Sequence, residues 1–223
     1  MSGNVPVRGR VALEGIRFAA GVASGPSGVV TLWKAATGGK TVGCVPFPPV
    51  PELPHAAGLL PVALESREDL DLFSGQMNAW LVEADLAPSF PLPASSPRFV
   101  FPRVPPPRLE EALERVEELA EWVDAVSGSP ASEGGIWKSI RAYAIRRSLL
   151  HALDGRISRE PAFLAPEERR VIVRAGIFLP PEAHSRLLSA ILGIDPEPAA
   201  IPPEGEKGDP LIVLAKRWMG FRG

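Results

Sequence analysis

The sequence predicts a helix-rich α/β protein, and three observations carry that expectation. Only a few short apolar runs have strand character, whereas many segments repeat their apolar residues at helical spacing. Twenty-six prolines among 223 residues cluster at residues 46–54, 88–107 and 196–210. Proline removes a backbone donor and stops helices and inner strands, so these clusters mark connectors between elements. A regular βαβαβ alternation is not legible, so a full doubly wound sheet is not expected.

Apolar stretches at residues 11–22 and 29–36 flank a turn at residues 24–28. The run KTVGCV at residues 40–45 predicts a buried strand closed by Pro46. A brief helix is expected over residues 52–58, with Pro54 admissible because it falls in the first turn and Gly58 as its stop. LLPVAL at residues 59–64 is a second strand, residues 67–83 a helix, and RFVF at residues 98–101 a third short strand.

The pattern sharpens after the second proline cluster. Leu109, Ala112, Leu113, Val116, Leu119, Ala120, Val123 and Val126 follow helical spacing, with Gly128 just past the end. Glu110, Glu111, Glu114, Glu117, Glu118 and Glu121 between them form a solvent-facing acidic stripe. The next helix starts at Glu133 or Gly135, runs to Leu153, and aligns Ile136, Ile140, Tyr143, Arg147 and Leu150. Arg147 interrupts that apolar stripe. A charge there has to meet a carboxylate, a phosphate or backbone carbonyls. Residues 166–176 and 180–192 predict two shorter helices, each opened by proline. A last helix over residues 209–219 has Asp209 as N-cap and Pro210 at its first position. The expected organisation is an α/β part over residues 1–104, a helical part over 105–192, and a proline-rich connector with a terminal helix over 193–223.

The net charge of -2 gives no electrostatic case for nucleic acid or an anionic membrane. No apolar run approaches the roughly 20 residues needed to span a bilayer. Arg8, Arg10, Glu14 and Arg17 interrupt the first twenty positions, so no signal-peptide core is visible and a cytoplasmic protein is expected. Cys44 is the single cysteine, which excludes an intramolecular disulfide and any site that needs several thiolates from this chain. His55, His151 and His184 are far apart in sequence and form no HExxH pattern, so no metal site is expected on this chain.

No P-loop, dinucleotide or nucleophile-elbow motif occurs. Gly38, Gly39, Lys40 and Thr41 resemble the tail of a phosphate loop, but they precede a strand instead of opening a helix. Cys44 falls inside an apolar strand, where a thiol behaves as a small hydrophobe; a reactive thiolate needs exposure and a nearby positive charge. Glu52 and His55 project from one face of a one-turn helix at i and i+3, between two strands. A carboxylate and an imidazole so placed are able to share acid–base work. The plainer reading is a helix-dipole glutamate beside a paired histidine.

Several of these segments, in order, resemble the subunits of 2-hydroxyacyl-CoA dehydratases and benzoyl-CoA reductases. They are GKTVGCVPFPPVPELPHAAGLLPVAL (residues 39–64), RFVFPRVPPP (98–107), IRAYAIRRSLLHAL (140–153), PEERRVIVRAGIFLPPEAHSRLL (166–188) and DPLIVLAKRWM (209–219). The fold this implies is a helix-rich α/β chain with a small, mainly parallel sheet, a reduced version of the family's Rossmann-like domains. The family's activity implies electron transfer through an iron–sulfur cluster to an acyl-CoA thioester. The departures are specific. This chain is shorter than family members and has no cysteine between the second strand and the later helices. Cys44 stands where the family commonly has an aromatic residue. Ala144 replaces the asparagine beside the motif's tyrosine, Tyr143, whereas the motif's arginine is kept as Arg147. The resemblance therefore implies a cluster-free subunit or paralogue, hetero-oligomeric with a homologous partner that carries a [4Fe-4S] cluster. In a shared acyl-CoA pocket Glu52 would be the acid–base group, His55 its neighbour and Arg147 an anion-pairing, substrate-binding residue. Two alternatives stand beside it: a stand-alone acyl-CoA or nucleotide-thioester binding module without catalysis, and an independent enzyme using Glu52 and His55.

Overall fold

A computed structural model describes residues 9–46, 50–93, 95–104, 106 and 108–194. The helix expected over residues 209–219 and the connector before it lie outside the described residues. By their internal contacts the described residues divide into two compact units: an α/β unit built on residues 31–140, and a helical unit built on the N-terminal residues up to 30 together with residues 141–194.

The α/β unit is organised by four parallel strands, β1 (Lys40–Val45), β2 (Leu59–Ala63), β3 (Ala79–Glu83) and β4 (Arg98–Phe101), in the order β2-β1-β3-β4. Every residue of β2 and β3 is buried. That is the signature of parallel strands covered on both faces, whose sequences run apolar without alternating. Two short helices complete the crossovers, α3 (Glu52–Ala56) and α4 (Arg67–Phe73). The chain leaves β1 for β2 on one side, then returns past β1 to β3 on the other. Right-handed crossovers in opposite directions place successive helices on opposite faces of a sheet.

This arrangement corrects two expectations. Residues 67–83 are not one helix, and a β1-α3-β2-α4-β3 alternation is present after all. α4 starts where the Ser66 hydroxyl accepts from the Asp69 backbone N–H at 3.1 Å, and it ends at Ser74 and Gly75. AWLVE then becomes the inner strand β3. A block of four apolar residues and one glutamate, all buried, carries no periodicity of its own, so helix and inner strand look alike in it.

One face of the sheet presents Val42, Cys44, Leu59, Ala79, Leu81 and Phe101. Leu53 of α3 packs there, as do Leu119, Val123 and Val126 of α5 (Leu109–Ser127). Each fully buried leucine or valine of this kind contributes about 1.5–3 kcal/mol. Most of the acidic stripe faces away from this core: Glu110, Glu111, Glu114, Glu118 and Glu121 are exposed, whereas Glu117 is half-buried. On the opposite face Gly43 is in register with Trp80, and a Cβ at Gly43 would lie 2.6 Å from the indole ring. Pro61 sits in β2, an edge strand, where a missing donor is tolerated.

The glycine-rich GGKT segment is structural. Gly38 (φ 66°) ends α2 (Pro26–Thr37) and turns the chain into β1. Lys40 Nζ donates to the carbonyls of Val126 at 2.7 Å and Ser127 at 3.3 Å, so a cation closes the negative end of α5. Thr41 Oγ1 donates to the Gln76 carbonyl at 2.6 Å.

The helical unit comprises α1 (Arg10–Ser24), the later turns of α6 (Glu133–Arg159), α7 (Pro166–Phe178) and α8 (Pro181–Leu192). α1 packs against α7 and α8. The approach is close at Gly15, where a Cβ would meet Ile191 at 2.9 Å. Proline opens α7 and α8 as expected. The Glu168 carboxylate accepts from the Ala165 N–H at 2.8 Å at the start of α7.

Candidate functional site

In an open parallel sheet the place to look for a ligand is outside the carboxyl ends of the strands, where the strand order reverses. Here that point lies between β1 and β3. Glu83 ends β3, nearly buried, with its Oε1 4.0 Å from Nε of the exposed Arg103. The segment leaving β1 leads into α3, which carries both sequence candidates of the α/β unit.

Leu53 anchors α3 in the core of the sheet, and this burial fixes its two polar neighbours. Glu52 is 3 % exposed, whereas His55 is half-buried. The first turns of α6 cover the other side of α3: Ile136, with Ala131, packs against Ala56 and Ala57. Gly135 permits that approach, since a Cβ there would lie 3.0 Å from the Ala56 carbonyl oxygen. Gly135 N–H in turn donates to Ser132 Oγ at 3.0 Å, which starts α6.

One turn further along α6 comes Ser139, 1 % exposed. Its hydroxyl lies 2.8 Å from His55 Nδ1 and donates to the Glu52 backbone carbonyl at 2.9 Å. A single side chain thus ties down both ends of the Glu52–His55 pair. Sequence reasoning passed over Ser139. The visible signal was a hydroxyl at the i+3 position of a helix face otherwise set by Ile136 and Tyr143.

Arg147 is not part of this arrangement. It belongs to the helical unit, and it is exposed instead of lying on the buried stripe. The buried face of α6 runs through Ile136, Ser139, Ala142, Tyr143, Leu149 and Leu153. At about 100° per residue Arg147 is still nearly in line with Ile136, but the packed face of α6 lies to one side of that line, through Ser139, Ala142, Leu149 and Leu153. Its neighbour Arg146 is partly buried, with its guanidinium 5.6 Å from the centre of the Tyr143 ring.

Cys44 is fully buried in β1, and burial pushes its thiol well above the ordinary range. It is a protonated, apolar-facing group at neutral pH. His184, also buried, packs its ring against Gly176, and its Nε2 lies 3.0 Å from the Ile172 carbonyl. Burial, helped by the positive charge of Arg146, lowers its pKa to about 4. Among the described residues no three His, Cys, Asp or Glu side chains come together as a metal site. No described helix is long and apolar enough to cross a membrane.

Fold and site together define an α/β protein with a small parallel sheet, carrying a buried carboxyl and an imidazole on the helix that follows its central strand β1. Over 99 residues the chain is 31% identical to one of the benzoyl-CoA reductase subunits of Thauera aromatica. The match takes in 44% of this chain and 24% of that relative, so the chain spans about a quarter of the length of the protein it matches. No family model matches the chain. The likeness supports a distant relation to the benzoyl-CoA reductase family.

Proposed function

We propose that the protein is a cluster-free subunit or paralogue in a complex of the benzoyl-CoA reductase or 2-hydroxyacyl-CoA dehydratase kind, handling acyl-CoA thioesters. The observation that carries this reading is the 99-residue match to a reductase subunit. The chain's single thiol does not fit a cluster, because Cys44 is buried and held protonated. A [4Fe-4S] cluster in such a complex belongs to a homologous partner chain, in the cytoplasm. This chain supplies a wall of the acyl-CoA pocket. Glu52, buried in a site shielded from water, is its acid–base group, with His55 beside it. Arg147, on the exposed side of α6, pairs with an anionic group of the ligand or partner.

Co-expression with cysteine-bearing relatives encoded beside it tests the proposal. Native mass spectrometry is expected to show a stable heteromer. A chain that stays separate from every cluster-bearing partner overturns the reading. Calorimetric titration of the isolated chain with CoA esters covers the rival: tight binding without any partner favours a stand-alone binding module.

A further inference from the structure

We infer that Ser139 is a positioning residue that holds His55 as the Nδ1–H tautomer, leaving the proton-accepting lone pair of the neutral ring on Nε2. A serine hydroxyl has one proton to give and two lone pairs to receive with. Its oxygen stands 2.9 Å from the Glu52 carbonyl oxygen and 2.8 Å from His55 Nδ1. A carbonyl has no proton, so the hydroxyl proton must lie between the two oxygens. Otherwise two acceptors would face each other inside a site where Ser139 is 1 % exposed. With that proton committed, Nδ1 is the donor to Ser139 Oγ. Neutral imidazole carries a single N–H, so Nε2 is the nitrogen able to accept.

The run of bonds from ring N–H to hydroxyl to carbonyl points one way, and each bond strengthens the next. It also commits the serine proton to the backbone, so Ser139 orients the histidine and does not serve as a nucleophile. This inference rests on the proposed reading only for its use: the acid–base neighbour of Glu52 receives a proton at Nε2. The tautomer itself stands on the geometry alone.

Long-range proton–nitrogen correlation spectra of the uniformly 15N-labelled full chain, recorded with His55 neutral, test it. The expected result is a pyrrole-type shift at His55 Nδ1 and a pyridine-type shift at Nε2. Ser139→Ala is expected to lose that preference and move the ring toward the Nε2–H form, while Ser139→Thr, which keeps the hydroxyl, retains it. A wild-type spectrum with the proton on Nε2 overturns the inference, even if Ser139→Ala fails to fold. A folded Ser139→Ala chain with an unchanged ring overturns it as well. The expected tautomer in a chain that neither joins a partner nor binds a CoA ester leaves this inference standing and removes the proposed function.

Discussion

Among single residues, His184 gives the sharpest prediction. Its pKa falls from 6.5 to about 4 on folding, so the folded state disfavours the protonated ring. The stability it protects is fully present above pH 6.5 and is lost as pH falls from there through 4. At 1.4 kcal/mol per unit this amounts to about 3 kcal/mol. Thermal melts over that window are expected to show an acid loss that flattens in His184→Gln. Gly176→Ala acts on the same ring, because its Cβ would run into the imidazole. A loss of about 1–3 kcal/mol is expected in urea unfolding. Burial of Cys44 was legible, since an apolar run around a lone thiol says as much. Ser139 was not, because its partners lie 84 and 87 positions away and only the packing of α6 on α3 introduces them. Arg147 was misplaced for a related reason. Spacing names a stripe, but the neighbours decide which stripe is buried.

At the level of elements, close packing across β1 and β3 makes Gly43 a sensitive position. Gly43→Ala would push a methyl to 2.6 Å from the Trp80 ring, flat against an inner strand with no room to retreat. A destabilisation of about 1–3 kcal/mol and a lowered Tm are expected. Lys40→Met removes the cation that closes α5 and is expected to cost about 1 kcal/mol, read as a drop in Tm that shrinks at high salt. β1, β4 and α5 could be read from the residues, because a proline stop, an aromatic alternation and a long amphipathic repeat each announce themselves. β3 could not. Ala79, Trp80, Leu81, Val82 and Glu83 are buried as a block, and a helix pattern extends through them unopposed until their pairing partners are known.

For the molecule as a whole, the legible part was the class: many helices, few strands, one sheet. The order of the strands was not legible, since it depends on which edge each crossover chooses. On the proposed reading, Glu52 acts only in the assembled complex. Glu52→Gln is expected to leave the chain folded and able to join its partner, while lowering turnover of the complex by about 10²-fold or more. Unchanged turnover in a correctly assembled Glu52→Gln complex would remove Glu52 from the chemistry.

The helical unit is discontinuous: α1 comes from one end of the described chain, and α7 and α8 come from the other. On a ribosome these parts appear far apart in time. Residues 31–140 can condense on their own sheet while α1 still waits for Leu187 and Ile191 to receive Gly15. Closing so long a loop costs little more at equilibrium than closing a shorter one, because the entropy grows only with the logarithm of length. The penalty is kinetic. Ile16, Ala19 and Val22 stay uncovered until α7 and α8 have been made, an interval in which an apolar helix face is open to chaperones or to misassembly.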